Sequence, residues 1–163
     1  MITDARLSTA FLLRHPAHFI ALGFGSGLAP VAPGTFGTLL AVPIAFALWH
    51  ATNSLGFLVF VVLAFGVGVW ASQVTGRALG APDHGAIVWD EVVAFLLVLF
   101  LVGAQPLAIA VAFVLFRVFD ITKPPPIRQV DAMMKNGYGV MLDDLIAAAY
   151  TLLAIALWQR IVS

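Results

Sequence analysis

Five long apolar stretches, about Thr35 to Ala51, Leu55 to Gln73, Ala86 to Gly103, Pro106 to Ile121 and Met141 to Val162, occupy more than half of a 163-residue chain. A helix needs about 20 largely apolar residues, roughly 17 to 25, to cross a bilayer. Each stretch therefore reads as a transmembrane helix, the fourth short and the first interrupted by Pro43. The expected fold is all-α, a polytopic membrane helical bundle of about five transmembrane helices. Only 10% of residues are charged and 62% are hydrophobic, against about 25% charged in a soluble domain. Little chain remains outside the membrane, so a single domain is expected over 1–163, with 1–18 a cytoplasmic N-terminal segment and 19–162 the helical core.

A sixth apolar stretch, Phe19 to Val31, is broken by Gly23, Gly25, Gly27 and Pro30. Glycine and proline weaken a helix interior, so this part reads as a Gly-rich re-entrant or interfacial segment. Residues before it carry Asp4, Arg6, Arg14 and His15 without the continuous apolar core of a signal peptide. The first apolar stretches are expected to stay in the mature protein.

Charge sets the orientation. With the N-terminus in the cytoplasm, Arg6, Arg14, Arg77, Arg117, Lys123, Arg128 and Lys135 all face inward, and only Arg160 lies outside. The positive-inside rule prefers this arrangement. The same threading gathers Asp83, Asp90, Glu91, Asp120, Asp131, Asp143 and Asp144 near the cytoplasmic helix ends. Net charge is zero and no basic run exists, so nucleic acid is not a partner. The chain has no cysteine, which removes thiolate nucleophiles and Cys-based metal sites. A metal would need carboxylates or histidines.

Two acidic pairs stand out. Asp90-Glu91 follows Asp83-His84-Gly85 and leads into an apolar helix; Asp143-Asp144 follows Gly137-Tyr138-Gly139 and does the same. An acid inside a membrane helix costs about 2.5 to 3.5 kcal/mol and marks a functional site by default; the bland reading is a charge at a helix N-terminus near the headgroups. Together the pairs can build a divalent cation site of hard oxygen ligands, and Mg²⁺ takes one or two carboxylates together with waters and substrate phosphate.

Between the pairs runs Arg117-Val118-Phe119-Asp120-Ile121-Thr122-Lys123-Pro124-Pro125-Pro126-Ile127-Arg128. Arg117 and Asp120 share a helix face. The prolines are expected to stop the helix and hold Lys123 and Arg128 on a stiff extended segment. These cations can grip phosphate oxygens, or serve as ordinary interfacial charges. The glycines from Gly23 to Gly37 can present N–H groups to an anion, with Ser26 and Thr35 as hydroxyl contacts or as helix caps. His84 titrates in a range suited to a general acid. His15, His18 and His50 show no partner at useful spacing.

With those residues identified, the sequence resembles the phosphatidylglycerophosphatase A family of bacterial membrane lipid phosphatases. Four blocks carry the likeness: Gly23 to Gly37, Asp83 to Glu91, Phe116 to Asp131 and Gly137 to Asp144. The resemblance implies Mg²⁺-dependent hydrolysis of phosphatidylglycerophosphate to phosphatidylglycerol and phosphate, at the cytoplasmic face of the bacterial inner membrane. Asp90, Glu91, Asp120, Asp143 and Asp144 would then serve in metal ligation or water activation, and Arg117, Lys123 and Arg128 in neutralising phosphate. Either a water activated at the metal or a carboxylate such as Asp120 would attack phosphorus. Two other classes compete. A lipid phosphotransferase with a nucleotide-activated donor would carry an Asp-Gly-x-x-Ala-Arg motif, absent here. A proton-coupled transporter would scatter its acids toward the midplane rather than gather them at one interface.

Overall fold

The computed structural model describes residues 7–162, except for the side chains of Asp131 and Val162. Asp4 and Arg6 lie outside the described residues. The described chain forms eight α-helices: α1 (Thr9–Leu13), α2 (Pro16–Ala21), α3 (Pro33–Ala51), α4 (Ser54–Leu79), α5 (Trp89–Val102), α6 (Pro106–Thr122), α7 (Ile127–Met133) and α8 (Gly137–Val162). A 3₁₀ segment, Gly23–Leu28, follows α2, as the glycine-broken stretch requires. Phe24 and Gly25 inside it are left-handed, at φ 56° and 109°.

Local chemistry sets the helix ends. Asn53 Oδ1 accepts the Gly56 N–H at 2.8 Å to start α4. Gly80, at φ 76°, ends it, with the Gly80 and Ala81 N–H groups turned back onto the Arg77 and Gly76 carbonyls. Gln105 Oε1 caps α6 through the Ala108 N–H, and Asn136 Oδ1 caps α8 through the Gly139 N–H. Pro33 and Pro106 occupy first-turn positions, where a missing N–H costs nothing.

Among the described residues, three helices, α3, α4 and α8, are long and apolar enough to cross a membrane. Their outward faces carry exposed Leu55, Val62 and Leu63 on α4 and Leu153 and Trp158 on α8, the surface a lipid solvent would cover. The expected α5 and α6 spans form helices too, but of 14 and 17 residues. At 1.5 Å per residue α5 is about 21 Å long, against a hydrocarbon core of about 30 Å.

α5 is the post of the bundle. It packs on α3, α4, α6 and α8, and Val92 to Leu96, Val98 and Leu99 are all buried. A helix apolar on every side has to be central. Trp89 donates its indole N–H to the Ala64 carbonyl at 3.0 Å, fixing α5 to α4. Small residues allow the close crossings: Ala41 and Ala45 on α3, and Ala147, Ala148 and Thr151 on α8, are fully buried.

The helix begins at Trp89 rather than at Ala86 because Ala86 to Val88 are buried but not helical. Their backbone is satisfied elsewhere: Ile87 N–H bonds the His84 carbonyl at 2.7 Å, and Val88 N–H bonds the Ala21 carbonyl at 2.9 Å. Buried irregular backbone must find its hydrogen-bond partners within the protein. The 3₁₀ segment covers this stretch, since a side chain at Gly27 would run into the Ala86 carbonyl.

Candidate active site

α3, α5 and α8 begin, and α6 ends, at the same end of the bundle. Asp90 and Glu91 lie in the first turn of α5, Arg117 and Asp120 in the last turns of α6, and Asp143 and Asp144 two turns into α8. Residues far apart in sequence thus meet around the buried start of α5. Asp90, Asp120, Asp143 and Asp144 are all buried, and the Glu91 and Arg117 side chains are only 12% and 14% exposed.

The five acids divide into two groups. Asp90, Glu91 and Asp144 each turn one carboxylate oxygen toward a common point, the three oxygens lying within 4.8 Å of one another. Asp120 is paired with Arg117 Nη1, and Asp143 Oδ2 accepts from Lys123 Nζ at 2.7 Å while its Oδ1 accepts the Asp144 N–H at 3.1 Å. Arg117 Nη1 also faces Glu91 Oε1 at 3.6 Å and the Thr38 hydroxyl at 3.4 Å.

Charge and hydrogen-bond satisfaction both point to a cation. Two basic side chains do not balance five buried carboxylates, and buried charge without compensation is expensive. Among the described residues, Asp90 Oδ1, Glu91 Oε2 and Asp144 Oδ2 are buried and meet no N–H or hydroxyl donor. Oxygen ligands on one hard cation sit up to about 4 to 5 Å apart across its coordination sphere, at about 2.1 Å from Mg²⁺ or 2.3 to 2.6 Å from Ca²⁺. The three acids fit a divalent cation. Arg117 Nε is likewise buried and, among the described residues, unpartnered, so the guanidinium is held by its Nη1 corner.

Other anticipated residues fall further out. The extended segment expected from Lys123 to Arg128 does not form. Lys123 is the left-handed C-cap of α6 at φ 42°, Pro124 to Pro126 make a turn closed by Ile127 N–H on the Pro124 carbonyl at 2.8 Å, and Arg128 lies exposed in the first turn of α7. Proline's fixed φ suits a turn or a helix start as well as an extended strand, and here the turn is chosen. Tyr150 O–H donates to the Pro125 carbonyl at 2.7 Å and holds that turn against α8. Ser26 Oγ is buried without a partner and faces back toward Gly23 in its own loop. His84 Nδ1 accepts the Ala86 N–H at 3.2 Å. The side chain of Asp131 lies outside those described.

Two site residues escaped the sequence reading. Thr38, fully buried, is the hydroxyl that reaches the guanidinium, whereas Thr35, one turn earlier, is only half-buried. Gly34 is the other: a Cβ there would collide with Glu91 Oε1 and lie 3.1 Å from Arg117 Nη1. His18, read as unpartnered, stacks on Phe11 at 4.2 Å and bonds Thr75 Oγ1 at 2.9 Å, a partner 57 residues away.

Residues 19–159 match the family described as Phosphatidylglycerophosphatase A. A Haemophilus influenzae protein named Phosphatidylglycerophosphatase A is 42% identical over 144 residues, 88% of each chain. An Escherichia coli K12 protein of the same name is 39% identical over 136 residues, 83% of this chain and 78% of that one. A Bacteroides thetaiotaomicron protein, provisionally named a phosphatidylinositol-3-phosphatase, is 38% identical over 148 residues, 85% of this chain and 92% of its own. No solved structure matches the chain. With the match running through every helix that contributes to the site, the chain belongs to the phosphatidylglycerophosphatase A family.

Proposed function

We propose that the protein hydrolyses the phosphomonoester of phosphatidylglycerophosphate, giving phosphatidylglycerol and inorganic phosphate, in a bacterial cytoplasmic membrane. The observation that carries this reading is the buried group of Asp90, Glu91 and Asp144, with three unpartnered carboxylate oxygens, beside a guanidinium with an unpartnered Nε. A cation site next to a cationic donor is what a transferring phosphoryl group needs, since its transition state is stabilised by positioning and by neutralising the equatorial oxygens.

Mg²⁺ is the proposed cation, held by Asp90, Glu91 and Asp144; when bound, it supplies Lewis-acid activation of water and charge neutralisation. The chain's own residues do the rest. Arg117 offers its Nε edge to a phosphate oxygen, Lys123 adds positive charge from the helix cap, and Asp143 holds Lys123 in place. Arg128 and Thr35 are assigned to the outer part of the phosphate path, and Ser26, turned back into its own loop, to shaping the Gly-rich segment. Asp120, beside Arg117, is the proposed acceptor of the proton from the attacking water. The P–O ester bond breaks as water adds to phosphorus, and the departing glycerol oxygen takes a proton, for which His84 is the proposed donor.

α5 and α6 complete a five-helix membrane domain in this reading, α5 being lengthened by the buried Ala86 to Val88 stretch. The single domain extends over the whole chain. The N-terminus, the acids and seven of the eight basic residues then face the cytoplasm.

The test is phosphate release by the purified protein in detergent, from phosphatidylglycerophosphate and, beside it, from phosphatidylinositol-3-phosphate. Release from the first that requires both a divalent cation and Asp144 supports the reading. Release from the second alone would move the substrate to the inositol lipid, and no release from either would overturn the phosphatase assignment.

A further inference from the structure

We infer that Thr38 is a positioning residue for Arg117, an inference that rests on the phosphatase reading and extends it to a side chain on a different helix. Thr38 sits fully buried one turn into α3. Its hydroxyl donates to the Gly34 carbonyl at 2.9 Å. A hydroxyl has one proton to give and two lone pairs. With the proton committed to Gly34, only lone pairs face Arg117 Nη1 at 3.4 Å, the polarity a cation requires.

A threonine bonded to the carbonyl four residues back is common, and this chain has others. Thr52, Thr122 and Thr151 bond the Leu48, Val118 and Ala147 carbonyls in the same way. Thr38 alone among these four has a guanidinium on its acceptor side. The back-bond fixes the side-chain rotamer, so the acceptor belongs to the rigid frame of α3.

That rigidity has a use. Asp120 is already hydrogen-bonded to Nη1 and Glu91 stands 3.6 Å from it, and Glu91, drawn fully onto the arginine, would be lost to the chemistry. A neutral acceptor from a third helix holds the guanidinium without consuming a negative charge. It also fixes the direction of the buried, unpartnered Nε. Gly34 belongs to the same device, because a side chain there would occupy the space between Glu91 and Arg117.

The experiment compares wild type, Thr38→Ser, Thr38→Val, Arg117→Ala and the Arg117→Ala, Thr38→Val double variant, measuring kcat and KM for phosphatidylglycerophosphate and thermal melting in detergent. Thr38→Ser should stay within about threefold of wild type. Thr38→Val, of nearly the same shape but without the acceptor, should lose about tenfold to hundredfold in kcat, the range set by one hydrogen bond to a charged group. Added to Arg117→Ala, it should cost nothing further. A Thr38→Val enzyme with normal kcat overturns the role, as does a loss that repeats in full without Arg117. If Thr38→Val does not melt cooperatively, Thr38→Ala, which needs no extra room, takes its place in the same comparison. An active wild type with an unaffected Thr38→Val enzyme sinks this inference alone, whereas a wild type inactive on the lipid overturns the phosphatase reading and this role with it.

Discussion

Lys123 and Asp143 are twenty residues apart in the chain and 2.7 Å apart in space, Nζ to Oδ2. The pair joins the left-handed cap of α6 to the second turn of α8 and sets a positive charge on Asp143, the chain neighbour of Asp144. Lys123→Ala should leave a buried carboxylate without its counterion and lower kcat/KM by about tenfold or more. Lys123→Arg should recover part of the loss. Steady-state kinetics on both variants checks this, and an unchanged kcat/KM in Lys123→Ala would confine the pair to holding the helices together.

Asp144→Asn and Asp90→Asn should each abolish turnover, because each removes a charged oxygen from the proposed cation site. Chelation should silence the wild type, and Mg²⁺ should restore it. Binding to the folded state alone also raises stability, so Mg²⁺ should raise the melting temperature of wild type and leave Asp144→Asn unmoved. Equal shifts in the two proteins would place the cation elsewhere.

Gly34→Ala tests the close approach of α3 to the site. The new methyl meets Glu91 and Arg117, and overpacking of this kind costs about 1 to 3 kcal/mol. Lower activity and a lower melting temperature are expected together. Gly66→Ala is the matched control, since a Cβ there meets nothing within 4 Å, and it should be neutral or slightly stabilising.

His84→Asn separates two roles of one ring. Asparagine's carbonyl can accept the Ala86 N–H in place of Nδ1, preserving the loop, but it has no proton to pass on. Loss of kcat with normal melting would assign the leaving-group proton to His84. Normal kcat would leave the residue as a loop cap.

His18 should make stability depend on pH. Burial in the α2 packing, followed by the charges of His15 and Arg14, holds its pKa below the ordinary value. The folded state therefore binds fewer protons here than the unfolded state. Its contribution is fully present above the ordinary histidine value, about 6.5, and is lost as pH falls through the lowered one. Melting temperatures between pH 5 and 7.5 should fall more steeply on acidification in wild type than in His18→Gln.

Much of this architecture is legible in the sequence because apolar length and paired acids are strong signals. The four helices that meet at the site follow from the apolar stretches, and the meeting of Asp90, Glu91, Asp120, Asp143 and Asp144 follows from threading them alternately across a membrane. What is not legible depends on side-chain direction. Nothing in the order Asp143-Asp144 says which acid will face a lysine and which the common point. Thr35 and Thr38 are three residues apart and neighbours on α3, and which of them is fully buried against Arg117 depends on how the helix packs onto Glu91 at Gly34. The proline run announces that α6 ends but not whether a turn or an extended segment follows.

The short α5 has a consequence for how the chain meets a bilayer. A 14-residue segment with two acids in its first turn is a poor candidate to enter a bilayer alone, each acid costing about 2.5 to 3.5 kcal/mol. Only Gly103 to Gln105 separate it from α6, whose Arg117 comes to rest 3.6 Å from Glu91. The α5–α6 hairpin therefore carries Glu91 and Arg117 together, an acid and its counterion joined by one short turn, so the two charges would meet a bilayer as a pair rather than as separate bare ions.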